Sequence, residues 1–113
     1  MSASIHIIYP ENYREEVISE ARIVLLLCMP HDDAFPQQRR IIEEIARRYS
    51  EALKVVLPDE AFIEVFKRDL HITGTPTILI LNRGKEISRV LGITDDRSLN
   101  EIILEAIGNR KHE

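Results

Sequence analysis

The chain has 113 residues, 44% of them hydrophobic and 30% charged, with four Gly, five Pro and one Cys. This is the size and make-up of one ordinary globular domain, expected over residues 1-113. One Cys excludes an intrachain disulfide, a Cys-x-x-Cys pair and a cysteine-built zinc cage, and a net charge of −4 supplies no global drive toward nucleic acid or an anionic membrane.

The N-terminus, Met-Ser-Ala-Ser-Ile-His, has neither a basic nor an apolar leader region. The longest apolar run, Ile23 to Met29, is far too short to span a bilayer. A lone unpaired Cys suits a reducing compartment, so a cytoplasmic protein is expected.

In chain order, Ser4 to Ile8 is β-branched, ends at Tyr9-Pro10 and reads as a first or edge strand. Asn12 is placed to cap a short helix over Tyr13 to Ser19. Ile23 to Cys28 is continuously apolar, as in a strand covered by helices on both faces. After the break Met29-Pro-His-Asp-Asp-Ala-Phe-Pro36, a helix is expected with Ile41, Ile42, Ile45, Ala46 and Tyr49 on one face. Pro36 sits near its first turn, where the missing N–H costs nothing. Arg39, Arg40, Arg47 and Arg48, balanced by Glu43 and Glu44, read as a solvated face.

Leu53 to Leu57 is a second buried strand. Asp59 is positioned to cap a helix from Glu60 to about Leu70 that buries Phe62, Ile63, Phe66 and Leu70. Thr77 to Leu81 is a third apolar strand. Asn82-Arg-Gly-Lys85 reads as a hairpin turn, with Gly84 supplying positive φ, and Ile87 to Leu91 returns antiparallel up to Gly92. A last helix, about Asp96 to Ile107, buries Leu99, Ile102, Ile103 and Ile107. Gly108 is expected as its C′ residue, and the tail from Asn109 onward as frayed. Strands alternating with helices and closed by a hairpin mean an α/β sandwich, a mixed sheet of about five strands between four helices.

Three segments carry a resemblance. Arg22-Ile-Val-Leu-Leu-Leu-Cys-Met29 is followed by a loop and Ile41-Ile-Glu-Glu-Ile-Ala46. Ile72-Thr-Gly-Thr-Pro-Thr-Ile-Leu-Ile-Leu81 comes next, then Asn82-Arg-Gly-Lys-Glu86 with Gly92. Together they resemble the thioredoxin family along nearly the whole chain, without gaps. The resemblance implies a thioredoxin-like three-layer α/β/α sandwich and a cis bond before Pro76. It also implies that the backbone of Thr75 pairs with an extended substrate segment.

The same match puts the family's Cys-x-x-Cys on Asp32-Asp33-Ala34-Phe35. Its buried acid falls on Leu26 and the tryptophan before the motif on His31. A carboxylate cannot attack a disulfide sulfur, so exchange is impossible at these positions. The expectation is a thioredoxin fold without its chemistry, with no catalytic residue and no cofactor. A peptide groove is expected to be formed by His31, Asp32, Asp33, Thr75, Pro76, Gly92 and Ile93, and to take a protein partner or an extended peptide.

Other readings stand beside this one. Asp32 and Asp33 lie where a helix starts and can cap it. Phe35 reads as core-facing. His31-Asp32-Asp33, with His71, lacks the longer-spaced ligand that a metal site needs, so no metal is expected. Cys28-Met-Pro-His31 spells a shifted Cys-x-x-His, which makes Cys28 the alternative, as a single reactive thiol beside the groove. The competing reading of Cys28 is a small hydrophobe closing its strand. The strand at Ser4 to Ile8, as an unprotected edge, allows a monomer or a weak dimer.

Overall fold

The computed structural model describes residues 5–111. Its sheet is built from β1 (His6–Ile8), β2 (Ile23–Cys28), β3 (Leu53–Pro58), β4 (Thr77–Asn82) and β5 (Lys85–Leu91), in the order β1-β3-β2-β4-β5. β1, β3 and β2 run parallel, β4 is antiparallel to β2, and β5 is antiparallel to β4. The helices are α1 (Phe35–Arg48), α2 (Ile63–Asp69) and α3 (Asp96–Lys111), with shorter helical turns at Pro10–Asn12, Arg14–Ile18 and Glu60–Phe62. The α/β class and the mixed five-stranded sheet follow the sequence expectation. Ser4, expected in the first strand, lies outside the described residues.

Helices cover both faces because β2 is apolar at every position. All six of its residues are buried, and successive side chains of a strand point to opposite faces. Ile23, Leu25 and Leu27 join Ile42 and Ile45 of α1 and Leu99 and Ile103 of α3. Val24, Leu26 and Cys28 join Val17, Ile63 and Phe66 on the other side. Burying each such aliphatic side chain contributes about 2 kcal/mol.

Several local features depart from expectation. The segment after Tyr13 is one π-type turn, Arg14–Ile18, closed by Ser19 N–H on the Arg14 carbonyl at 2.8 Å. Asn12 does not cap it. Its Oδ1 accepts the backbone N–H of Tyr9 at 2.7 Å, one turn upstream. Asp59 does cap its helical turn, accepting Ala61 N–H at 3.0 Å.

Gly108 is not a C′ residue, since α3 runs through it to Lys111. An interior glycine costs about 0.5–1 kcal/mol. The turns on either side of Gly108 are held by buried Ala106, half-buried Ile107 and the Arg110 guanidinium, which donates to the carbonyl of Ala21. Asn109 and Arg110 are therefore helical, not frayed.

The hairpin turn has positive φ at both centres, 54° at Arg83 and 83° at Gly84, as a type I′ turn requires. Gly84 is needed for space as well, because a Cβ there would lie 2.9 Å from Ile18 Cγ1. β5 starts at Lys85, earlier than expected. Ile80 pairs with Ser88 and Leu81 with Glu86, which leaves Ile87 as the extra residue of a bulge.

Among the described residues one cation is buried. Lys54, with only 6% of its side chain exposed, sits 3.2 Å from Glu16 and 3.6 Å from Glu20. A buried ammonium needs such partners to offset its lost hydration.

Candidate functional site

Three loops meet at one end of the sheet. Residues 29–34 follow β2, 73–76 precede β4 and 92–95 follow β5. The register brings them together, since Cys28 is opposite Thr77 and Thr77 is opposite Leu91. The expected groove residues all lie on these loops.

They fall into two subsets. Thr75, Pro76, Gly92 and Ile93 form one. The Thr75–Pro76 peptide is cis, Gly92 has φ 87°, and Gly92 N–H donates to the Pro76 carbonyl at 2.9 Å. Thr77 Oγ donates to the Gly74 carbonyl at 2.6 Å. Thr75 is exposed, and neither its backbone N–H nor its C=O has a hydrogen-bond partner among the described residues.

His31, Asp32 and Asp33 form the second subset, on the β3 side. His31 stacks on Phe35, with ring centres 4.0 Å apart and planes at 18°. Its Nδ1 lies 3.0 Å from Glu60 Oε2. Phe35 is buried, as expected. Asp32 caps locally. Its Oδ1 accepts Ala34 N–H at 3.0 Å and its carbonyl accepts Phe35 N–H at 3.1 Å. The residue that leads into α1 is Ala34, which caps nothing with its side chain. Asp33 has no hydrogen-bond partner among the described residues.

Cys28 is fully buried. Burial pushes its thiol up to about 11, with Lys67 opposing and Glu64 adding to the rise. The partial exposure that a thiol beside the groove requires is absent, because Cys28 points into the core between β2 and α2 and not toward the loops. Among the described residues no three His, Cys, Asp or Glu side chains converge as a metal cluster would. No helix among them is long and apolar enough to cross a membrane.

The site contains one polar residue that its motifs do not mark. Gln38, 1% exposed, sends Oε1 to the Thr94 N–H at 3.1 Å and Nε2 to the Thr94 carbonyl at 3.0 Å. The amide thus replaces a strand partner for the loop after β5 and ties that loop to the first turns of α1. The signal in the sequence is spacing. Gln38 shares the face of Phe35, Ile42 and Ile45, and a polar residue on an apolar stripe needs a partner.

Asp95 continues the same loop. Its Oδ1 accepts Ser98 N–H at 2.7 Å at the start of α3, and this bond holds its carboxyl below the usual range. Gly92 and Thr94 are therefore both pinned, yet Leu91 and Ile93 stand in solvent, 69% and 62% exposed.

No protein-family model matches the chain, and no curated protein matches it.

Proposed function

We propose that this chain is a thioredoxin-like three-layer α/β/α domain that binds an extended polypeptide segment and performs no disulfide exchange. The observation that carries the reading is the exposed backbone of Thr75, unpaired among the described residues, beside the fixed loop that holds out Leu91 and Ile93. An extended segment recognised by strand-like pairing needs a free N–H and C=O plus apolar contact for alternate side chains, and both occur here. No thiol stands at the start of α1, where the helix dipole would stabilise a thiolate.

The alternative, an oxidoreductase acting through Cys28, is disfavoured by burial. With its thiol near 11, about one molecule in ten thousand is thiolate at neutral pH, and that one is enclosed. A single enclosed thiol fits a reducing compartment such as the cytoplasm.

The test is a ¹⁵N chemical-shift titration with a short Val- and Leu-rich extended peptide. The expected shifts cluster at Thr75, Gly92 and Ile93. Absent shifts, or shifts scattered over the surface, overturn the binding reading. In parallel, insulin with dithiothreitol should precipitate at the uncatalysed rate. Acceleration that disappears in Cys28→Ser would restore the thiol enzyme.

A further inference from the structure

Between the first turns of α1 and the loop after β5 lies an open cleft of about 420 Å³, lined by Ala34, Gln37, Ile41, Ile93, Thr94 and Asp95. Its apolar wall is not a by-product of a loose loop. The Gln38 amide grips Thr94 on one side of Ile93, and the Pro76 carbonyl grips Gly92 on the other. Holding two large aliphatic side chains in water forgoes burial that a slightly different loop would gain.

Carboxylates outnumber cations around this ledge, where Arg40 on α1 is exposed and forms no ion pair among the described residues. Asp32 and Asp33 precede α1 and Asp95 precedes α3, and none of the three forms an ion pair among the described residues. The nearby acids are otherwise engaged: Asp96 pairs with Arg48 and Glu60 faces His31. Arg97 acts on Asp95 only through its field, and its own side chain is turned to Glu101. Arg39, on the first turns of α1, is taken up by Glu43.

We infer that the segment bound at this end of the sheet carries an aliphatic side chain seated against Ile93 in the cleft and flanking Lys or Arg residues that meet Asp32, Asp33 and Asp95. The inference rests on the peptide-binding reading above and adds the chemistry of the partner. An apolar ledge supplies area but little selectivity, and uncompensated carboxylates beside it supply the discrimination and speed encounter with a cationic chain. An acidic chain meets the same groups as repulsion.

Two peptides test it, with one Val-Leu-Val centre flanked by Lys and Arg in the first and by Asp and Glu in the second. Binding is followed by fluorescence anisotropy. The basic peptide should bind at least about tenfold more tightly at low salt, and the ratio should fall toward one at about 0.5 M salt, where screening is short-ranged. Substituting Asp32, Asp33 and Asp95 together by Asn keeps both caps and should remove most of the ratio. Ile93→Asp should weaken the peptide with acidic flanks further and the basic one through lost apolar contact. Equal affinity for the two peptides overturns the charge preference and leaves peptide binding standing. Binding of neither peptide overturns both.

Discussion

Replacing Gln38 by methionine keeps the side chain's length and removes both of its bonds to Thr94. Thr94 is 6% exposed, so water cannot take over the role of the amide. A buried donor and a buried acceptor are left unmade, at about 1–3 kcal/mol each. The apolar methionine recovers about 1 kcal/mol by burial, leaving a net loss of about 1–5 kcal/mol. That is a large fraction of the roughly 5–15 kcal/mol that holds a domain together. Near this size it corresponds to a drop in Tm of about 4–20 °C. The assay is urea unfolding followed by circular dichroism, with the m-value required to stay constant. Gln37→Met, one residue away on the exposed side, is the control and should move stability by no more than about 0.5 kcal/mol.

Gln38→Glu adds a sign. The new carboxylate accepts Thr94 N–H but presents its other oxygen to the Thr94 carbonyl. Protonated, it donates there and restores both bonds. The folded state therefore raises the pKa of this acid above its unfolded value. The stabilisation is present at low pH and is lost as pH rises through the raised value. The gap to the unsubstituted protein should narrow between neutral pH and about pH 4. Gln38→Met unfolding at the same urea concentration as the parent would refute the reasoning, as would an unchanged hydrogen-exchange rate for the Thr94 amide.

Gly84→Ala should lose about 1–2 kcal/mol in the same assay, from a left-handed φ of 83° and a Cβ at 2.9 Å from Ile18; pairing it with Ile18→Ala should relieve the contact and leave the φ penalty. His71→Gly should gain about 0.5–1 kcal/mol, because His71 occupies a left-handed φ of 56° at the end of α2, and an unchanged or lowered Tm would count against this. Glu20 is held down to about 2 from its ordinary 4.5, by the Arg22 hydrogen bond first and by the charges of Arg22 and Lys54 after it. The folded state binds this proton more weakly than the unfolded chain does, so the contribution is full above about pH 4.5 and vanishes as pH falls toward 2. Glu20→Gln should therefore be less stable than the parent at neutral pH, with the difference shrinking in acid.

The parts of the fold legible in the sequence are those written in local periodicity or turn chemistry. Ile23–Cys28 reads as a buried central strand because it is apolar at every position. The core stripe of α1, the Asp59 cap and the positive φ at Gly84 are equally local. The parts that were not legible depend on partners far along the chain. Gln38 and Thr94 lie 56 residues apart, and no periodicity links them. His71 ends α2 in the position usually held by glycine, with Ile72 N–H on the Lys67 carbonyl at 2.8 Å. Its residue type does not announce that role. Gly108 has the look of a stop, yet tertiary contacts on the flanking turns carry the helix across it. At the site, the loops and their order are readable, but the side to which each side chain turns is not. His31 faces Glu60 and not Thr75, because its ring is held on Phe35.

Arg89 of β5 joins two parts of the molecule that are distant in sequence. Its guanidinium clasps Glu86 at 2.9 and 2.7 Å and reaches the carbonyls of Leu70 and His71, at 2.9 Å each. These are orphan acceptors at the end of α2, on the far side of the loop that enters β4. An outermost strand normally unzips first, with little loss to the rest of a sheet. Here, peeling β5 away also strips the end of α2 of its donors, so the two must open together. Amides of the β4–β5 hairpin and of the last turn of α2 should then exchange with one shared opening free energy, and Arg89→Ala should split them into two.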